Sequence, residues 1–169
     1  GVALRSDVKA AGKWKTNKNG SYYAAGVRSQ VAGRGANIAL LDDVMSEEDS
    51  FSQTGRKYIK EWYPAGLRTR LMPNGSIIII NTRYHYDDLC GWLLKQEKTA
   101  EQNTYPWEVI SIPAWLNEEA AELLDLPVGG SYFPEWKSDE ILRIDEQEIR
   151  ASNGARYWNS LYMQDPSPD

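Results

Sequence analysis

Two short apolar runs organise the hydrophobic pattern of this chain. Ile38-Ala39-Leu40-Leu41 follows Gly33-Arg34-Gly35-Ala36-Asn37 and leads directly into Asp42-Asp43; Ile77-Ile78-Ile79-Ile80 follows Ser76 and leads into Asn81-Thr82-Arg83. Both read as buried strands of a parallel sheet, being short, continuous and, in the second case, wholly β-branched. Between them, residues 51 to 71 have helical character. Tyr58, Ile59, Trp62 and Tyr63 form an apolar stripe, while Arg56 and Lys60 share another face four residues apart. Pro64 is expected to kink or end that helix, and Pro73-Asn74-Gly75 to form a turn before the Ile run. Strand, helix, strand at this spacing is the βαβ unit, with a right-handed crossover. It predicts that Asp42, Asp43, Thr82 and Arg83 emerge together at the carboxyl edge of the sheet, where such folds bind ligands.

The remaining pattern is more local. Asn17-Lys18-Asn19-Gly20 between Trp14-Lys15-Thr16 and Ser21-Tyr22-Tyr23 is a hairpin signal, because Asn and Gly tolerate positive φ. Val2 to Ala11 shows no period, and Gly26 to Gly35 reads as a loop. Ser46-Glu47-Glu48-Asp49 suits a helix N-terminus, with a cap and acids in the first turn. A helix over 86–98 is expected to carry Asp87 and Asp88 at its start and Leu89, Trp92 and Leu93 on its buried face. Trp107 to Ile112 alternates and predicts a third strand, stopped by Pro113. Short helices are expected over Asn117 to Leu126, from Ser138 to Asn153, and from Arg156 to Gln164. In the last, Trp158 and Tyr162 pair at i, i+4 as core. The fold class expected is α/β, a mainly parallel sheet flanked by helices with a small C-terminal helical segment.

Composition narrows the function classes. With 169 residues and 41% hydrophobic side chains, one domain with a true core is within reach. A single cysteine, Cys90, excludes an internal disulfide framework and fits a reducing compartment. Beside Leu89 and Trp92 it reads as a small buried hydrophobe rather than a nucleophile. A single histidine, His85, excludes multi-His chemistry and suits capping or packing at the next helix. No apolar run reaches membrane-spanning length and no signal-peptide pattern occurs, so a soluble cytoplasmic protein is expected. The net charge of −5 is uneven: residues 1–35 hold seven Lys/Arg and one Asp, a balance of +6, and residues 36–169 balance at −11. The basic lead could face phosphates or form an ordinary solvated edge.

Adjacent carboxylates at a strand tip repel one another unless a cation or solvent relieves them. One reading is therefore a Mg²⁺-nucleotide site, with Asp42 near the metal and Asp43 near an attacking water; the other is a strand followed by a turn, with both acids in solvent. Arg34 has two readings as well, a guanidinium for a transferring phosphoryl group or a tie for the Gly-rich turn, and Arg28 is the alternative residue for the first role.

These motifs, in this order, resemble the ATPase domain of the large terminase subunit, the DNA-packaging motor of tailed bacteriophages. The string from Gly33 to Asp43 resembles that family's Walker B region. Thr69-Arg70-Leu71 with Pro73 and Gly75, followed by Asn81-Thr82-Arg83-Tyr84-His85-Tyr86-Asp87-Asp88-Leu89, resembles its coupling motif, although the family often has Trp and Glu where this chain has Tyr84 and Tyr86. Phe133-Pro134-Glu135-Trp136 and Tyr162-Met163-Gln164-Asp165-Pro166 fit the region before its nuclease domain. The resemblance implies part of a P-loop NTPase domain of the ASCE type. Residues 1–126 would form the C-terminal part of the ATPase domain, and 127–169 a helical linker segment. It implies ATP and Mg²⁺ as cofactors, with Asp42 as metal residue and Asp42, Asp43 and Thr82 at the nucleotide. Asp43, Arg34, Thr82 and Arg83 would be catalytic. Implied partners are double-stranded DNA, the portal protein, the small terminase subunit and further copies in a ring, in the cytoplasm of an infected bacterium.

No Gly-x-x-x-x-Gly-Lys-Ser/Thr string occurs, so this chain lacks the loop whose backbone N–H groups cradle phosphates. In the resembled family that element lies upstream. The chain also begins without Met, and the expectation is a fragment that does not hydrolyse ATP alone. Other readings are a different P-loop enzyme such as a helicase, a non-catalytic DNA- or protein-binding module, and a metal-dependent nuclease. The last needs a wider ligand set than Asp42 and Asp43 supply.

Overall fold

The computed structural model describes residues 1–29, 33–99 and 106–166. The chain forms two compact units, one from residues 1–39 and 62–76, the other from 40–61 and 77–169.

In the first unit, β1 (Leu4–Ala10), β2 (Lys13–Thr16) and β3 (Ser21–Tyr23) make an antiparallel sheet in sequence order. The expected hairpin is β2–β3. Asn19 takes φ +63°, and the Thr16 hydroxyl accepts from the Gly20 N–H at 2.9 Å. Trp14 and Tyr22 are opposite one another and stack, centroids 5.0 Å apart. β1 was invisible in the sequence for a physical reason. Six of its seven residues are exposed and its register shifts between Leu4 and Lys9, so no burial alternation marks it. Pro64 acts as expected. A π-helical turn, Tyr63–Leu67, and a 3₁₀ turn, Arg68–Arg70, follow the α-helical stretch that stops at Trp62.

The two apolar runs form β4 (Ala36–Asp42) and β5 (Leu71–Ile80), a two-stranded parallel sheet flanked by helices. Three expectations need correction. First, the strands are not buried on both faces. Leu41 is 3% exposed, but Ile38, Leu40, Ile78 and Ile80 are 49–66% exposed. β5 alternates because the sheet is covered on one side. Second, Pro73-Asn74-Gly75 does not precede β5 but lies inside it. Asn74 does take the left-handed φ of +63° that the turn chemistry anticipated. Third, no strand forms over 106–113. Alternation supplies a face, not a partner, and Val109 and Ile110 are exposed.

In the second unit, Ser46 caps α1 (Glu47–Phe51), its hydroxyl accepting from the Asp49 N–H at 3.0 Å. α2 (Gln53–Trp62) follows at once, burying Ile59. After β5 comes α3 (Leu89–Thr99), which buries Leu89 and Leu93. Asn117 caps α4 (Glu118–Leu124) and Ser138 caps α5 (Asp139–Asn153). Gly154 separates α5 from α6 (Ala155–Leu161). The C-terminal core joins two clusters, Ala114–Leu142–Trp158 and Leu116–Ala120–Ala121, with Tyr132 packed against both. Trp158 is fully buried and stacks on Tyr162 at 4.5 Å, as the i, i+4 spacing predicted.

Candidate functional site

β4 delivers Asp42 and Asp43 at its carboxyl end, and Asp43 closes it. Its φ of +39° is unusual for a residue with a side chain. Its N–H donates to the Ile80 carbonyl at 2.9 Å, and one carboxylate oxygen accepts the Thr82 N–H at 2.9 Å. Asp43 thus clips the end of β4 to the residues leaving β5, by backbone and side chain together. Asp, like Asn, tolerates the left-handed region, which helps explain why an acid can serve there. Asp42 and Asp43 are both exposed. Water can therefore relieve their repulsion, and adjacency alone does not demand a cation.

The segment from Asn81 to Asp88 is held from several sides. The Asn81 amide donates to the Thr82 carbonyl, and the Asp87 N–H donates to His85 Nδ1 at 2.9 Å. His85 is 1% exposed and lies against Phe51 and Tyr86, the packing role expected of it. Asp87 receives Lys60 at 2.5 Å and faces Arg56 Nε at 3.6 Å, tying α2 to the start of α3. Arg83 donates through Nε to Asp88 at 2.8 Å, and Asp88, 1% exposed, accepts the Gly91 N–H with its other oxygen. Any larger residue at 91 is blocked, because a Cβ would lie 1.9 Å from the Tyr86 carbonyl oxygen.

The sequence-derived residues therefore separate by job. Asp43 and Thr82 are hydrogen-bonded to each other, and Asp42 precedes them at the strand end. Arg83 is committed to a carboxylate that the sequence reading treated as a helix-start acid; the clue available was an Asp three residues before a Gly at the head of an apolar helix. Arg34 belongs to the other unit, where its guanidinium lies 4.0 Å from the Tyr23 ring centroid. That contact gives the structural role of Arg34 a partner.

Among the described residues no three His, Cys, Asp or Glu side chains gather as a metal cluster. The donors at this edge, two exposed carboxylates and a threonine hydroxyl, fit a Mg²⁺ ion that keeps most of its waters and takes its remaining ligands from phosphate. They do not fit a cage for a dehydrated ion. Cys90, partly buried in α3, has its thiol pushed up to about 11 by burial and by Asp88, against which Arg83 acts. It is no nucleophile at neutral pH.

No protein-family model matches the chain, and no curated protein sequence matches it.

Sequence reasoning missed one further constellation. Phe51, Tyr84 and Tyr157 wall a pocket of about 170 Å³ with Leu161. The Tyr157 hydroxyl donates to Glu47 at 2.6 Å, and that bond, with burial, raises its pKa. The spacing of Tyr157 and Leu161 was legible as a helix face; its meeting with Phe51 and Tyr84 was not.

Proposed function

We propose that the chain is the Walker B and coupling portion of an ATP-hydrolysing motor that translocates double-stranded DNA, of the large-terminase kind. The observation that carries the reading is the 2.9 Å bond from the Thr82 N–H to the Asp43 carboxylate at the end of two parallel strands. It brings an acid and a hydroxyl-bearing residue to one sheet edge, the place where open α/β sheets bind ligands.

In this reading Asp43 uses its second carboxylate oxygen to position, and take a proton from, the water that attacks the γ-phosphate of ATP. Thr82, tied to the same carboxylate, reports that event to the segment that follows. Asp42 holds Mg²⁺ through water, and the ion supplies neutralisation of phosphate charge. Arg34 supplies a guanidinium to the transferring group, in its own subunit or a neighbour's. Arg83 acts indirectly, bracing the Thr82 segment through Asp88. The phosphate cradle comes from a part of a longer protein. That protein would act with portal protein, small terminase subunit and further copies in a ring, in the cytoplasm of the infected host.

The test is Asp43→Asn in the parent protein. ATP binding should persist while turnover falls by about a hundredfold or more, the range for losing a general base. Normal turnover by that variant would refute the assignment. The 169-residue chain alone should neither bind Mg²⁺-ATP tightly nor release phosphate.

A further inference from the structure

The aromatic pocket lies apart from the residues assigned to hydrolysis. Phe51 comes from the end of α1, Tyr84 from the segment after β5, and Tyr157, Ser160 and Leu161 from α6. At about 170 Å³ it is smaller than the usual site for a drug-sized ligand, so it has room for one small ring system. Three aromatic side chains favour a flat occupant.

Its polar groups restrict the chemistry further. Ser160 is 3% exposed and lines the pocket, and among the described residues no hydrogen bond takes up its hydroxyl. A hydrocarbon ring would seal that hydroxyl from water without a partner, which is costly. A heterocycle with donor or acceptor atoms on its edge would satisfy it. Asn153, also in the lining, adds an amide that both donates and accepts. Arg156 places its guanidinium 5.3 Å from the Phe51 ring centroid. Its five N–H donors leave capacity for an oxyanion beside the ring.

We propose that this pocket binds a nucleobase with its attached phosphate, a nucleoside monophosphate unit, at a site separate from Asp42, Asp43 and Thr82. The base lies among Phe51, Tyr84 and Tyr157, its edge meets Ser160 and Asn153, and its phosphate meets Arg156. A free nucleotide and a single-stranded nucleic acid share this chemistry.

The experiment titrates AMP, adenosine and a short oligo-dA strand into the full chain by calorimetry, with EDTA present so that no metal-dependent site contributes. AMP should saturate. Arg156→Gln should weaken AMP by roughly tenfold, the loss of a charge-assisted bond, and leave adenosine within about twofold. Ser160→Ala should weaken both, and Phe51→Leu serves as a second, mild probe of the stacking wall. Asp43→Asn should change neither. Oligo-dA binding more tightly than AMP, with a steep salt dependence, would assign the site to a strand; equal or weaker binding would assign it to the free nucleotide. The proposal is overturned by absence of saturable AMP binding, by loss of binding in Asp43→Asn with retention in Arg156→Gln, or by phenylalanine amide binding better than AMP. None of these outcomes touches the hydrolysis reading, which rests on other residues.

Discussion

At the scale of single residues, the conformation of Asp43 and the pairing of Arg83 decide what each can do. Asp43 sits at positive φ and accepts the Thr82 N–H, so a replacement must tolerate both demands. Asn does: it visits the left-handed region and offers a side-chain oxygen. Asp43→Asn should stay within about 0.5 kcal/mol of wild-type stability in urea titration, whereas Asp43→Val should lose roughly 2 kcal/mol through strain and the missing bond. Equal stability of the two would show that the clip is idle. Arg83→Met leaves the fully buried Asp88 carboxylate without its ion partner, and should cost about 3 kcal/mol with or without nucleotide. A stable variant would free Arg83 for chemistry. Cys90 gives a pH prediction. Its folded pKa of about 11 lies above the usual 9.0. The stabilisation it lends is therefore full below pH 9 and is lost as pH rises toward 11. Below pH 9, Ellman's reagent should react with the native thiol far more slowly than with the urea-unfolded one; equal rates would mean that α3 leaves it open.

At the scale of elements, local chemistry was legible where it did not depend on a distant partner. Ser46, Asn117 and Ser138 were readable as caps because the acid-rich first turns follow them directly, and all three bond as expected. The β2–β3 hairpin was readable from Asn19-Gly20 for the same reason. Pairing was not readable. Trp107 to Ile112 alternates as a strand should and finds no ladder, while β1 alternates poorly and finds one. The candidate edge fell between these cases. The two apolar strands and the acids after them were visible, but the bond from Thr82 to Asp43 and the diversion of Arg83 to Asp88 depend on how the chain turns beyond β5. Gly91 shows how tight that turn is. Gly91→Ala forces Cβ against the Tyr86 carbonyl, and should destabilise by about 3 kcal/mol although Ala favours helices. A stabilised Gly91→Ala protein in thermal melts would mean that the segment before α3 relaxes at little cost.

At the scale of the whole molecule, the decisive feature is apolar surface left on the parallel strands. Ile78 and Ile80 are two residues apart on β5, so they share one face, and both are about half exposed; Leu40 on β4 is exposed as well. A two-stranded sheet also has two unpaired edges, which are templates for pairing with another chain. Against this stands a net charge of −5, which keeps copies apart at low ionic strength. The two effects respond oppositely to salt. Added salt screens the repulsion, and a salting-out anion such as sulfate strengthens apolar burial. The chain should therefore be mostly monomeric in dilute buffer and associate as concentration and sodium sulfate rise, measured by sedimentation velocity. Replacing Ile78 and Ile80 together by Lys should abolish the association, since a charged strand face resists both burial and edge pairing. Association that weakens with added salt would point instead to contacts between the basic residues 1–35 and the acidic remainder. Association unchanged by the double substitution would remove the β5 face from the interface.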